Sequence, residues 1–180
     1  PIGDTTVTWM VTDGSGNTAT CTQIVTVTDD NKPNFVEALP VDGTFECINV
    51  PQASTLTATD NCGTAEVTFT ETRTDGSCVS NYNLERTWTA TDNGGLTTIH
   101  TQLITVQDTK APELVIALQT SLTANCSDIP EAPALEFSDN CSTDVTVIYE
   151  ETNSFDENNP SDYEVVRTWK VSDACNNEEI

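Results

Sequence analysis

The chain has 180 residues, and 29 acidic residues against six Lys and Arg give it a formal charge of −23. This charge excludes nucleic acids and anionic membrane surfaces as partners, because their phosphate groups would be repelled. Hydrophobic residues make up 36% of the chain and are spread along its whole length, so we expect a folded protein rather than a disordered one. No apolar run is long enough to span a bilayer, and we expect no direct membrane insertion.

The cysteines and the single histidine narrow the class of protein further. The chain has seven Cys without Cys-x-x-Cys metal spacing, which is typical of an exported protein in an oxidising compartment. With one His, zinc sites and His-based catalytic triads lack most of their ligands and bases. We therefore expect no enzymatic activity from these residues. Because the chain starts at Pro1 inside a repeating pattern, we expect it to be part of a longer protein.

A repeated motif defines the domain organisation. The segment 8–13, Thr-Trp-Met-Val-Thr-Asp, reappears in related form at 87–92 and 168–173, a period of about 80 residues. Pro33 and Pro112 each follow an alternating run and cannot continue a β-ladder. We therefore predict the C-terminal part of a first repeat at 1–32, a complete repeat at 33–111 and a third repeat, truncated at its C-terminus, at 112–180.

Within the complete repeat, side-chain character alternates with a period of two. Residues 55–59, 65–72, 82–91 and 97–106 alternate apolar or β-branched with polar positions, and turn residues separate them. No segment has the pattern of an amphipathic helix. The prediction is an all-β fold of tandem immunoglobulin-like β-sandwich repeats of about 80 residues. Trp9, Trp88 and Trp169, on the penultimate strand of each repeat, are expected to pack in the core.

Three strings carry a family resemblance: residues 56–63 (Leu-Thr-Ala-Thr-Asp-Asn-Cys-Gly), 86–92 (Arg-Thr-Trp-Thr-Ala-Thr-Asp) and 102–108 (Gln-Leu-Ile-Thr-Val-Gln-Asp). With them the chain resembles the HYR-like, immunoglobulin-type repeats of Bacteroidetes surface proteins, among them the large adhesins of gliding flavobacteria. The resemblance covers nearly the whole chain. It implies an extracellular stalk exported by the type IX system and, for the gliding adhesins, moved along the cell surface.

The cysteine spacing predicts one disulfide within each repeat. Cys47 and Cys62 have the same separation as Cys126 and Cys141, and the flanking residues match. The economical pairing is therefore Cys47 with Cys62 and Cys126 with Cys141. The remaining cysteines, Cys21, Cys78 and Cys175, do not pair by pattern; the positions of Cys78 and Cys175 are compatible with a second pair that is incomplete in each repeat.

Aspartates recur at the predicted junctions between repeats. In a sandwich of this topology, the entering linker, the loop after the second strand and the last hairpin lie at one end, so their carboxylates could meet. The residues concerned are Asp29, Asp30, Asp60 and Asp92 at one junction and Asp108, Asp139 and Asp173 at the next. Hard oxygen ligands in this number suit Ca²⁺ between domains. Alternatively, each Asp caps a turn, and the sequence leaves both readings open.

These features favour a structural and adhesive role. We expect a repeat segment of a large cell-surface adhesin that acts as an extended stalk in surface attachment and gliding motility. Its expected partners are neighbouring repeats of the same chain and a surface polysaccharide or another adhesion target. The alternative is a set of accessory or carbohydrate-binding domains of a secreted hydrolase. That alternative would require exposed aromatic side chains, whereas the Trp and Tyr residues recur at positions expected in the core.

Overall fold

The computed structural model describes residues 2–158 and 162–180. Over these residues the chain forms strands and one 3-10 helix, Cys47–Asn49, with no α-helix. The strands are β1 (Gly3–Thr12), β2 (Thr18–Val27), β3 (Asn34–Phe35), β4 (Gly43–Glu46), β5 (Ala58–Thr59), β6 (Ala65–Asp75), β7 (Tyr82–Asp92), β8 (Thr97–Gln107), β9 (Glu113–Leu114), β10 (Phe137–Ser138), β11 (Thr146–Asn153), β12 (Val165–Ser172) and β13 (Glu178–Glu179). The predicted all-β class is confirmed. No described helix has the length and apolar character needed to cross a membrane.

The principal sheet belongs to the middle of the chain and has the order β4-β8-β7-β6. Strand β4 runs parallel to the end of β8, with Gly43 opposite Ile104 and Glu46 opposite Gln107. On β7 every second residue from Leu84 to Asp92 is buried, and on β8 the same alternation holds from Gln102 onwards. The period of two read from the sequence is therefore the period of burial. A separate two-stranded sheet pairs β3 with β5.

Trp88 is the anchor of the buried face of β7. Its side chain is 1% exposed, its ring lies 5.1 Å from that of Phe69 and 5.9 Å from that of His100, and its Nε1–H donates to the Ser54 carbonyl oxygen at 2.9 Å. A buried indole with its one donor satisfied is a stable arrangement. The predicted core role is thus confirmed for Trp88.

The other two tryptophans have different environments. Trp169 on β12 is half-buried and packs on Tyr149, with 5.2 Å between ring centroids. Trp9 on β1 is 60% exposed, so the expectation that it lies in the core is wrong. The reason is topological: β1 pairs with β2 in a sheet of two strands, and most side chains on both strands are exposed.

The third part of the chain is built from small sheets. Strands β11, β12 and β13 form one antiparallel sheet, and β9 pairs with β10.

In the middle of the chain a second core cluster, Leu84, Ile104 and Val106, packs against partly buried side chains that include Phe45 and Tyr82. Leu84, Ile104 and Val106 are apolar and removed from water, which stabilises the folded state.

The chain divides into two compact units. Unit 1 contains residues 1–41, 53–71 and 85–102, and unit 2 contains residues 42–52, 72–84 and 103–180. The residues of the predicted middle repeat are shared between the two units, so the units group the chain differently from the predicted repeat boundaries. Those boundaries, with the repeats at 1–32, 33–111 and 112–180, stay a prediction.

Two equivalent ion pairs bridge neighbouring strands in the predicted middle and third repeats. Arg86 Nε donates to Glu71 Oε2 at 2.7 Å, and Arg167 Nε donates to Glu151 Oε2 at 2.8 Å. The side chain of Arg86 is 5% exposed, whereas that of Arg167 is 20% exposed. Both pairs therefore join an Arg to a Glu, but the guanidinium of Arg86 is more deeply buried than that of Arg167.

We expect Glu71→Gln to destabilise unit 1 more than Glu151→Gln destabilises unit 2. Removing the charge opposite a buried guanidinium costs about 1–3 kcal/mol, while the more exposed pair is screened by water and contributes less. Urea unfolding of the two single variants measures the difference. Equal losses, or a larger loss for Glu151→Gln, would contradict the assignment of Arg86 as the buried member.

Candidate functional site

Unit 1 contains a group of acidic side chains, which we call the first carboxylate cluster: Asp29, Asp60 and Asp92. One ligand atom from each of Asp29, Asp60 and Cys62 lies within 4.8 Å of the other two. Asp92 lies beside them, since a Cβ placed on Gly94 would meet Asp92 Oδ1 at 3.2 Å and Asp29 Cβ at 3.8 Å. The linker, the loop after β5 and the end of β7 thus place three carboxylates together.

Each aspartate of the first carboxylate cluster also caps a turn with one oxygen. Asp29 Oδ1 accepts from the Asn31 amide at 3.2 Å, and Asp60 Oδ2 accepts from the Cys62 amide at 2.7 Å. Asp92 Oδ1 accepts from the Leu96 amide at 2.9 Å in the β7–β8 hairpin. These are the Asx-type bonds that aspartate commonly makes in turns.

Unit 2 contains the second carboxylate cluster: Glu46, Asp108, Asp139 and Asp173. Ligand atoms of Glu46 and Asp108 lie within 4.8 Å of each other, as do those of Asp108 and Asp173. Asp108 is central and 4% exposed. Burial raises the pKa of its carboxyl group, and the negative charges of Asp139, Asp173 and Glu46 raise the pKa further.

The second carboxylate cluster repeats the capping pattern of the first. Asp108 Oδ1 accepts from the Lys110 amide at 3.4 Å. Asp139 Oδ1 accepts from the Cys141 amide at 2.8 Å, and Asp173 Oδ1 accepts from the Cys175 amide at 2.7 Å. The turn-capping role anticipated from the sequence is therefore present alongside the convergence of the carboxylates.

Two residues differ from the expected set. Asp30 is exposed and lies outside the groups of potential ligands found among the described residues. Glu46, which was not among the carboxylates expected at the junctions, lies beside Asp108 because β4 pairs in parallel with the end of β8. Its Oε1 accepts from the Thr109 hydroxyl at 2.5 Å. A four-residue strand with a parallel partner gives little sequence signal. Recurrence gives none either, because Glu46 has no Glu at the equivalent place in the predicted third repeat.

The disulfides differ from the predicted pairing. Cys47 is bonded to Cys141, with 5.7 Å between their Cα atoms, and Cys78 is bonded to Cys175, with 5.2 Å. The pairs Cys47–Cys62 and Cys126–Cys141 are therefore wrong, and Cys62, Cys126 and Cys21 are free and exposed. Cys47 belongs to unit 2, where it follows β4, while Cys62 belongs to unit 1 beside Asp29.

The carboxylates around Cys62 define its chemistry. Partial desolvation raises the pKa of its thiol, and the charges of Asp29, Asp60 and Asp92 raise the pKa further. A thiol in this field remains protonated at neutral pH, and the thiolate is the nucleophile in redox and covalent catalysis. The surroundings of Cys62 thus disfavour such catalysis.

Comparison with known proteins gives one family match. Residues 1–27, which include the β1–β2 hairpin, match the HYR domain. No curated protein matches the chain. The match supports the presence of HYR-like repeats, and together with two disulfides it indicates an extracellular or cell-surface module of the cell-adhesion type.

We expect the double variant Cys47→Ser/Cys141→Ser to lose about 2–5 kcal/mol of unfolding free energy, because a bond across a long sequence separation restricts the unfolded chain. Denaturant unfolding under oxidising conditions measures the loss. Mass spectrometry of non-reduced peptides should recover Cys47 joined to Cys141 and Cys78 joined to Cys175.

The matched control is Cys62→Ser/Cys126→Ser, which removes two cysteines that are free in the structure. Its unfolding free energy should equal that of the parent chain. A peptide joining Cys47 to Cys62 would overturn the observed pairing and restore the pairing expected from spacing.

Proposed function

We propose that the chain is a repeat segment of a large cell-surface adhesin, where it acts as an extended stalk in surface attachment and gliding motility. The HYR match and the disulfides support an extracellular adhesion-type module. The resemblance to repeats of gliding adhesins supports the more specific role and export by the type IX system. The stalk holds a distal binding region away from the cell. That region binds a surface polysaccharide or another adhesion target.

The disulfides are the observation that carries this proposal. Each one joins a cysteine of the predicted middle repeat to a cysteine of the predicted third repeat: Cys47 to Cys141 and Cys78 to Cys175. A disulfide within one domain would stabilise that domain alone. A disulfide between consecutive repeats also carries tension from one repeat to the next through a covalent bond and limits how far the chain can extend, which is the property a stalk requires.

The repeat pattern extends this linkage to an array. Cys62 occupies the position of Cys141 in the middle repeat, and Cys126 occupies the position of Cys47 in the third. Asn61 Nδ2 lies 3.1 Å from Cys62 Sγ, and Asn140 Nδ2 lies 2.9 Å from Cys141 Sγ. In a chain of such repeats, Cys62 would bond to a repeat on one side and Cys126 to a repeat on the other.

The net charge of −23 suits the same role. Like charges repel one another over about a Debye length, roughly 8 Å at physiological ionic strength. Neighbouring stalks on one cell surface are therefore kept apart, and non-specific association is reduced.

The alternative role as a carbohydrate-binding appendage has weaker support. A sugar-binding face needs exposed aromatic rings on a folded sheet. Trp9 is exposed, yet its counterpart Trp88 is 1% exposed, and the Nε1–H of Trp88 donates to the Ser54 carbonyl oxygen. The tryptophan of this motif therefore packs in the core where the larger sheet is present. Saturable binding of the chain on a glycan array, lost in Trp9→Ala, would favour the alternative.

The stalk proposal predicts a short extension under force. When the oxidised chain is pulled from its ends, we expect it to reach only ~30 nm after unfolding, against ~60 nm for a variant without Cys47, Cys78, Cys141 and Cys175, at about 3.5 Å per residue. The difference arises because the shortest covalent path between the chain ends crosses one disulfide and bypasses the residues between its two cysteines, either 47 and 141 or 78 and 175. Single-molecule force spectroscopy measures both lengths.

The control in this experiment is again Cys62→Ser/Cys126→Ser, which should keep the extension of ~30 nm. An oxidised parent chain that extends to the full length would show that the repeats are not linked covalently. The stalk proposal would then lose the observation on which it depends.

A further inference from the structure

Both carboxylate clusters contain buried oxygen atoms without a hydrogen-bond partner. Among the described residues, six buried side-chain atoms have none: Asp29 Oδ2, Asp60 Oδ1, Asp92 Oδ2, Asp108 Oδ2, Asp139 Oδ2 and Gln102 Oε1. Five of the six belong to the aspartates of the two clusters. Unpaired buried polar atoms are rare in folded proteins, and unpaired buried charge is costly, so this concentration requires a physical cause.

Turn capping does not supply that cause. In each of these five aspartates one oxygen accepts a backbone amide and the other is left over. Capping needs a single acceptor, which the side-chain oxygen of asparagine would provide as well. The second oxygen, and the negative charge, are therefore unexplained by the turns.

The chain has a way to satisfy such an oxygen and does not use it at Asp92. At Asp13 and Asp173, the equivalent positions, the second oxygen accepts from the side-chain amide of Asn17 or Asn177, at 2.8 and 2.7 Å. In the middle repeat the corresponding residue is Leu96, so Asp92 Oδ2 has no donor although Asp92 is 6% exposed. A positive charge from elsewhere would complete this site.

Basic side chains do not supply the charge. The ion pairs of the described residues join other carboxylates: Arg73 with Asp75, Arg86 with Glu71, Arg167 with Glu151 and Lys170 with Glu178. The two clusters thus collect at least three carboxylates each, and none of these takes part in an ion pair of the described residues. A bound cation would relieve the repulsion among them, which otherwise opposes folding.

We propose that each carboxylate cluster binds one Ca²⁺ ion, chiefly through the aspartate oxygens that accept no hydrogen bond. The first site uses the free oxygens of Asp29, Asp60 and Asp92, and the second uses those of Asp108 and Asp139. Asp173 and Glu46, whose oxygens also accept hydrogen bonds, complete the second site. Two oxygens bound to one Ca²⁺ at about 2.4 Å are at most about 4.8 Å apart. Ligand atoms of Asp29 and Asp60 lie within that span at the first site, and those of Asp108 lie within it of Glu46 and of Asp173 at the second.

The donor chemistry selects the class of metal. The available ligands are carboxylate oxygens, which hard cations prefer. At the second site the nearby sulfur atoms, those of Cys141 and Cys175, are in disulfides and offer no thiolate. At the first site the carboxylates of Asp29 and Asp60 outnumber the single thiol of Cys62. Both sites therefore favour a hard cation.

Calcium titration of the EDTA-treated 180-residue chain tests the proposal. By isothermal titration calorimetry we expect two sites per chain with dissociation constants on the order of 10⁻⁴–10⁻³ M, as in extracellular modules. The melting temperature should rise by roughly 3–10 °C in 10 mM Ca²⁺. Mg²⁺ at the same concentration serves as the comparison cation and should give a smaller shift.

Paired Asp→Asn variants assign the sites, because asparagine keeps the oxygen that caps the turn and removes the charge. Asp29→Asn/Asp60→Asn should abolish the first site alone, and Asp108→Asn/Asp139→Asn the second alone. The control is Asp156→Asn, at an exposed aspartate that also caps a turn; it should bind Ca²⁺ as the parent does.

Three outcomes would overturn the calcium sites. No heat and no thermal shift up to 10 mM Ca²⁺ would show that no ion binds. An equal response to Mg²⁺, or unchanged titration in both paired variants, would show diffuse screening of charge. The proposal stands apart from the stalk role: force spectroscopy reads the covalent links between repeats, and calorimetry reads the ion, so either can fail without the other.

Discussion

The alternation of inward and outward side chains along β7 and β8 is the constraint on which the rest of the structure depends. Successive residues of a strand point to opposite faces, so one choice of register buries Leu84, Trp88 and Ala90 together. The same parity turns Asp92, at the end of β7, towards the interior. On β8 the buried series likewise continues into Asp108 just beyond the strand. The geometry that builds the apolar core therefore also removes two carboxylates from water.

The turns that follow these strands combine two roles. Asp139 caps the turn that carries Cys141, and Asp173 caps the turn that carries Cys175. Each disulfide of the chain thus has one end in a turn whose shape is maintained by a carboxylate of the second cluster. Because the Asp108 amide donates to Asn81 Oδ1 at 2.7 Å, the centre of this cluster is also held by the segment that follows Cys78. Cross-links and carboxylates in unit 2 are parts of one arrangement.

The sequence predicts some of this arrangement well. Alternation over 82–91 and 97–106 depends on local residue order, and it correctly indicated strands and the burial of Trp88. The recurrence of Asp29 and Asp60 as Asp108 and Asp139 pointed to the residues that meet in each cluster, because equivalent positions of a repeat fold alike. Glu46 was missed, since its place depends on the pairing of a strand of only four residues.

The cysteine pairing could not be predicted from spacing. Equal separations of Cys47 from Cys62 and of Cys126 from Cys141 favour a bond inside each repeat, yet the same pattern arises when every repeat bonds to the next. Spacing within one repeat is identical in the two cases. Only the position of Cys47 after β4, in the same compact unit as Cys141, distinguishes them. Trp9 shows a related limit, because a core position is buried only where a second layer covers it.

The overlap of the two disulfides has a consequence for a protein outside the cell, where proteases are abundant. The bonds span residues 47–141 and 78–175, so a single peptide-bond cleavage anywhere between residues 47 and 175 leaves the two pieces attached through at least one disulfide. Between residues 78 and 141 both bonds hold them. A nicked molecule would remain in place and keep its length, and release would require cleavage combined with reduction.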